Sequence, residues 1–442
     1  MTFRIPDLTI GEISPGLHIY DVTPYGYITP QSISSVYNIP ASDGVGTRVG
    51  IISLGGGFSQ NDVALSLTDM GLPVPIINFV SVDGMSNNFD NGAYSVENTL
   101  DIYCIAAMVP GAAISIYIAP NNNSGLYNAI ARAVADNCDV ITISWGIDEI
   151  NLTGGDFLNP ILSLAASRGI TVLCCSGDFG SSSASALAPG SPPSAEYPAS
   201  SPYVVSVGGT SLSINPNQTR NYEYAAQSSG GGVSMLFSTP AWQSGLKYST
   251  VNAFGQSGPY TLTQRGVPDI AAPFYNYVLY FHGNLTSLNG TSAATPVMAG
   301  MIARFVALKN GQRPANGAVT INTLFYSNPG LFFNSTFDKA FSGKTGGLVT
   351  NNWSNTNVNY AYATTAGGWN PVTGLGAPVG LSLYNLLPAY VPPAVTNSNI
   401  RIKTSPTVWS NVANVYVKTT ATTWNQVQHA WIKTAQGWQQ RF

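Results

Sequence analysis

The chain carries very little charge. Only 8% of its 442 residues are Asp, Glu, Lys or Arg, against roughly 25% in ordinary soluble domains. Histidine is nearly missing: His18, His282 and His429 are the three present, and none stands in a His-Gly-Thr-like setting. Cysteine is limited to Cys104, Cys138, Cys174 and Cys175, and no CxxC spacing points to zinc. The start, MTFRIPDLTIGEISPG, has no apolar stretch of the secretory type. No apolar run approaches the ~18 residues of a membrane span. Each shortage excludes something. With few carboxylates to protonate, acid should unfold this chain less readily than most, which fits an acidic, extracellular or particle-borne (virion-associated) setting. A net charge of −3 gives no case for nucleic-acid binding. Cys174 and Cys175, inside an apolar run, read as buried thiols.

What is present is apolar and uncharged-polar. Hydrophobic residues make up 44% and glycine counts 45; Ser, Thr and Asn recur throughout, so hydroxyls and amides do the solubilising. The length allows one large domain plus a smaller one. From Tyr27 onward short apolar runs alternate with helical patterns. RVGIISLGG (48–56), AAISIYIAP (112–120), CDVITISWG (138–146) and ITVLCCSGD (170–178) read as strands. NDVALSLTDMG (61–71), ENTLDIYCIAAMVPG (97–111), GLYNAIARAVADN (125–137) and LNPILSLAASRG (158–169) read as helices. That alternation implies an α/β domain with a parallel sheet covered on both faces, and such sheets carry their chemistry at the carboxyl ends of strands. Residues 1–26 read as an N-terminal extension, 27–390 as the main domain and VPPAVTNSN (391–399) as a linker. Residues 400–442 differ: IRIKTSPTVWSNV, VYVKTTATTWNQV and AWIKTAQGWQQ repeat one pattern of strand, Lys-Thr, turn and Trp. They contain five basic residues (Arg401, Lys403, Lys418, Lys433, Arg441), no acidic one, and four of the eight tryptophans. This predicts a small all-β repeat module, an anchoring or assembly device toward structural subunits of a particle, resembling Trp/Lys repeats at the ends of some phage structural proteins.

The stretch NGTSAATPVMAG (289–300) presents Ser292 as subtilisin-type hydrolases present a nucleophile, with a proline four residues on. No histidine is suitably placed to activate it, so the base is expected to be a carboxylate. Glu97 and Asp101 stand four residues apart on one helix face, where two acids in a partly buried site share a proton and one pKa rises. Such a Glu can take a serine proton in mild acid, with Asp101 holding and polarising it. An isolated ExxxD is ordinarily a solvated helix face. His282, in the strand-like NYVLYFHGN, is the alternative base.

The acid pair is not isolated. SWGIDE (144–149), SGDFGSS (176–182), SGGGVS (229–234), RGVPDIAA (265–272) and NGTSAATP (289–296) occur in one order. Together with YITPQSISSVYNIP (27–40), YPASSPYVVSVGGT (197–210), PAWQ (240–243) and GWNPVTGLGAP (368–378), they make the chain resemble the sedolisins, the serine-carboxyl peptidases, and among them the kumamolisin branch, over roughly residues 27–388. The resemblance implies a subtilisin-like, doubly wound, mainly parallel sheet. It also implies an acid-active endopeptidase acting on peptide or protein substrates. Ser292 would be the nucleophile, Glu97 the general base, Asp101 its partner and Asp178 the acid completing the oxyanion hole. That last role needs a protonated Asp, because a carboxylate repels a developing oxyanion; the Ser292 backbone N–H would be the second donor, at a helix start. The resemblance further places Trp145 and Gly230, Gly231 and Gly232 along the substrate cleft, and Glu196 at an acidic specificity position with a preference for a basic side chain nearby. Where some relatives extend the proton network with a Glu, this chain has Ser53. A calcium site is implied at Asp338, Lys339, Ala366, Gly368 and Asn370, weakened because Asn370 replaces an Asp; the alternative is a turn held by the Asn370 amide alone. A competing expectation is a catalytically silent structural or binding protein on the same fold. Sedolisins usually carry a long propeptide, and about 26 residues precede the matching region here.

Overall fold

The computed structural model describes residues 11–12, 27–153, 155–181, 194–226, 228–252, 255–333, 361–363 and 368–387, together with six short strands between 401 and 440. The chain divides into two units, Met1–Ala389 and Tyr390–Phe442.

The first unit is built on an eight-stranded sheet. Its strands are β1 (Arg48–Ser53), β2 (Asn78–Ser81), β3 (Ala113–Ile118), β4 (Val140–Ile143), β5 (Thr171–Cys175), β6 (Val205–Ile214), β7 (Arg220–Ala225) and β8 (Ile270–Pro273). Across the sheet the order is β7-β6-β5-β4-β1-β3-β2, and β8 also pairs with β6. Every pairing is parallel except β6 with β7. The helices are α1 (Pro30–Val36), α2 (Gln60–Asp69), α3 (Ala93–Met108), α4 (Asn123–Ala135), α5 (Asn159–Ser167), α6 (Thr291–Leu308), α7 (Gly317–Ser327) and α8 (Gly380–Leu386).

Successive strand residues face opposite sides, and the core divides accordingly. Val49, Ile51, Ile116 and Leu173 join the layer under α3 and α6; Ile52, Tyr117, Ile141, Ile143 and Val172 join the layer under α4 and α5. A sheet covered on both faces needs strands without polar alternation, which is why β4 and β5 read as continuous apolar runs. α3 is buried from Ser95 to Met108, as expected of a helix apolar all round. It stops before Pro110 because the residue preceding a proline disfavours helical backbone. α6 is likewise interior: by length and a mean hydropathy of 1.3 it could cross a membrane, yet 89% of it is buried in the fold. This corrects the expectation that no segment would be so long and apolar; the run was masked by Thr, Ser and Arg304 within a core helix.

The α2, α4 and α5 segments and strands β1, β3, β4 and β5 fall within the ranges expected from sequence, apart from Gln60 and Asn123–Ser124 at two helix starts. α3 begins four residues earlier than expected, at Ala93. Its N-cap is Gly92, with no capping side chain, so the start carries no Ser, Thr, Asp or Asn signal. Of the N-terminal extension, Gly11–Glu12 pairs with Thr286–Ser287. All four cysteines are buried and unbridged.

In the second unit three antiparallel pairs are described: Arg401–Ser405 with Val408–Asn411, Tyr416–Lys418 with Trp424–Gln426, and Trp431–Thr434 with Gly437–Gln440. Their registers match, with Lys403 opposite Trp409, Lys418 opposite Trp424 and Lys433 opposite Trp438.

Candidate active site

β1 and β4 are neighbours whose onward connections run in opposite directions, to β2 and to β5. Such a reversal opens a crevice at the carboxyl ends of the strands. Ser53 ends β1, Ser144-Trp145-Gly146 follows β4 and Ser176-Gly177-Asp178 follows β5. α3 and α6 pack against each other on this sheet and carry the remaining groups.

Glu97, Asp101 and Ser292 are all sealed from solvent, at 0%, 1% and 0% exposure. Burial holds the Glu97 carboxyl well above its ordinary range, and the negative charges of Asp101 and then Asp178 push the same way, while the hydroxyls of Ser292 and Ser144 pull it down. Burial likewise raises Asp101, opposed by the Ser144 hydroxyl. Ser144 bridges Asp101 Oδ1 and the Ser292 carbonyl, and Asp178 bonds Thr291 beside the serine, so the acids and the serine form one cluster. Neither Glu97 oxygen nor the Ser292 Oγ has a formed hydrogen bond. Catalytic contacts are commonly this loose before substrate binds.

Ser292 is the second residue of α6. Asp178 holds the start of that helix: its Oδ1 accepts from the Thr291 N–H (2.8 Å) and the Thr291 hydroxyl (2.6 Å), a carboxyl at the positive end of the helix dipole. Gly290 precedes them at φ +151°. A Cβ there would lie 2.8 Å from Asp178 Oδ2, 3.5 Å from Ser292 N and 3.6 Å from Ser292 Cβ. Only glycine leaves that small space open, and a carboxyl oxygen, a backbone N–H at a helix start and the carbon bearing the hydroxyl all border it.

Trp145 is fully buried, with Tyr94 packed edge-on at 5.2 Å between centroids. The Glu196 carboxyl lies half-buried between Gly146 and Gly177, where a Cβ on either glycine would strike it. Gly230 and Gly231 admit no Cβ either, but what they approach is the protein's own backbone: Ser176–Gly177 and Pro371. Gly232 opens the strand Gly232–Ser238, which Glu149 holds by accepting from Ser234 Oγ (2.6 Å) and Met235 N (2.5 Å). Ser53, in place of a network Glu, bonds to Asn98 Oδ1 and to the Gly55 carbonyl (3.2 Å).

His282 is exposed at the turn between Tyr277–Phe281 and Asn284–Leu288. Its ring stacks on Phe89 at 4.2 Å and its Nε2 meets the Asp90 carbonyl at 3.1 Å. It is therefore engaged at the surface, away from the buried serine, and the alternative of a histidine base there is set aside.

Of the residues implied for calcium, Asp338, Lys339 and Ala366 lie outside the described residues. Asn370 does not fit as a ligand: its Oδ1 accepts from Val372 N (2.9 Å) and Thr373 N (3.0 Å), and its Nδ2 donates to Thr373 Oγ1 (3.0 Å). The side-chain amide closes the turn from Asn370 to Gly374 instead of facing a cation, and Gly368 lies before that turn.

Sequence reasoning missed Ser144. Its hydroxyl donates to Asp101 Oδ1 at 2.8 Å and stands 3.4 Å from the Ser292 carbonyl oxygen. The strand-end SWG was the one available signal, and it drew attention to the tryptophan.

The chain is similar to known peptidases. The sequence model of the subtilase family matches residues 86–346. Kumamolisin of a Bacillus species is 33% identical over 376 residues, covering 81% of this chain and 63% of its own length. A probable tripeptidyl-peptidase of Arthroderma benhamiae is 33% identical over 260 residues, 56% of this chain and 42% of its own length. The chain thus spans less than two thirds of these relatives. Among solved structures, Pseudomonas sedolisin, a serine-carboxyl proteinase complexed with pseudo-iodotyrostatin, superposes with a TM-score of 0.64 at 26% identity, over 81% of this chain and 96% of that one.

Proposed function

The chain belongs to the subtilase family, and on that footing we propose that it is a serine-carboxyl endopeptidase cleaving peptide bonds in acid. The observation carrying this is the convergence of Glu97, Asp101, Asp178 and Ser292 in one buried cluster that holds no histidine among the described residues. Ser292 Oγ attacks the scissile carbonyl carbon as its proton passes to Glu97. The carbonyl oxygen, now negative, enters the space beside Gly290, where protonated Asp178 and the Ser292 N–H donate to it. Glu97 then gives its proton to the departing amine. Water then attacks the acyl-enzyme as its proton passes to Glu97, and Glu97 returns that proton to the departing Ser292 Oγ as the acid product leaves. Asp101 shares negative charge with Glu97 and keeps its proton affinity high. Because Asp178 must carry a proton, activity falls as pH rises, and because Glu97 must be free to accept one, activity falls again in stronger acid.

Glu196, between the chain segments leaving β4 and β5, favours a basic side chain at the residue whose carbonyl is attacked. The test uses denatured protein and peptide pairs differing in Lys or Leu at that position, from about pH 3 to pH 7. Acid-range cleavage should vanish in Ser292→Ala and fall at least about a thousandfold in Glu97→Gln. Cleavage that survives both variants, or its absence at every pH, refutes the reading and favours a silent binding protein.

A further inference from the structure

Pro296 lies inside α6, four residues after Ser292. In a helix the N–H of residue 296 would bond the carbonyl of residue 292, but proline has no N–H and its ring crowds that carbonyl. The Ser292 carbonyl is thereby left without its helical partner. The group found beside it is the Ser144 hydroxyl, at 3.4 Å, and the same hydroxyl is 2.8 Å from Asp101 Oδ1. All three residues are at most 1% exposed, so no bulk water competes. Ser144 is fixed in place by its position at the carboxyl end of β4, between the pairings to β1 and β5.

We propose that Ser144 is a positioning residue whose hydroxyl couples the charge of Asp101 to the turn carrying the nucleophile, through the carbonyl that Pro296 frees. A hydroxyl has one proton to donate and two lone pairs to accept with. When Asp101 is a carboxylate, Ser144 donates to Oδ1. When Asp101 is neutral, its acidic proton can be accepted by Ser144, which turns its own proton toward the Ser292 carbonyl. No bond to carbon changes; one proton reorients and one is shared. Each charge state of the acid pair therefore has a matched arrangement at the serine. The geometry also explains why a helix-disfavouring proline is tolerated in the first turns of a core helix: a donor from the sheet stands in for the missing one.

This inference rests on the proposed roles of Ser292, Glu97 and Asp101, and the experiment separates the two. Full pH profiles of kcat and KM are measured for Ser144→Ala, Ser144→Thr and Pro296→Ala, with Ser292→Ala and Glu97→Gln as controls and Tm for folding. Ser144→Ala should lower kcat about tenfold with KM unchanged. It should also move the acid limb up by about one pH unit, because a bond favouring the Asp101 carboxylate is lost. Ser144→Thr, which keeps the hydroxyl, should restore the limb. Pro296→Ala supplies a helical N–H to the Ser292 carbonyl and should lower kcat without moving KM; it carries the test if Ser144→Ala does not fold. The inference is overturned if the controls are inactive while Ser144→Ala and Pro296→Ala leave kcat within about twofold and the limb in place. Active controls would overturn the triad itself.

Discussion

Glu97 and Asp101 give the protein's stability a definite response to pH. Both are held above their ordinary values of 4.5 and 3.8, first by burial. A raised folded pKa means the folded state prefers the proton. The stabilisation is complete below the unfolded values and is lost as pH rises through the raised ones. Glu149 and Glu223, also raised first by burial, act in the same direction. Thermal denaturation should therefore give a higher Tm near pH 4 than near pH 7, and Glu97→Gln should narrow that difference. A Tm that climbs toward neutrality would contradict the sign. At this scale the sequence was informative only where spacing is local. An acid pair at i, i+4 is visible on a helix face. The bonds of Ser144 reach residues 43 and 148 positions away, and no short-range pattern encodes them. The same holds for Asp178, whose grip on Thr291 spans 113 positions.

At the scale of elements, the site depends on how closely α3 and α6 approach. Gly300 of α6 sits against Met108 of α3, where an added Cβ would collide with the methionine Cβ. Its backbone is not in the left-handed region, so space alone demands glycine here. Gly300→Ala should destabilise the protein by about 1–3 kcal/mol through overpacking, read from chemical denaturation, and should lower kcat more than it raises KM, because the proposed base and nucleophile ride on the two helices being separated. Unchanged stability would mean that the helices can part freely. Strands β1, β3, β4 and β5 were legible because each is a compact apolar run ended by glycine or a polar turn. β2 was not, since Asn78–Ser81 is short and only Val80 is buried. The reach of β6 was not, because it exchanges partners along its length, meeting β5 at Val205–Val207, β8 at Val207–Thr210 and β7 from Thr210 to Ile214.

For the whole molecule, scarcity of charge and depth of the site belong together. Among the described residues of the first unit, several ionisable groups are enclosed: Glu97, Asp101 and Asp178, the pair Arg265 and Asp269 at 2.6 Å, and Glu223, which half-buried Arg220 meets at 2.8 Å. Salt screens enclosed groups far less than exposed ones, so raising ionic strength should shift Tm less than changing pH does. A salt titration at fixed pH checks this; a large salt effect would place the stabilising charges outside. The three Lys/Trp repeats are visible in the sequence because their period is short, whereas the function of that unit has no local signature. The four thiols have a different bearing. Each is enclosed and none is bridged, so the architecture owes nothing to oxidation. The same folded object persists whether its surroundings donate or withdraw electrons, and a catalyst of this make can be produced in one redox climate and set to work in another without refolding.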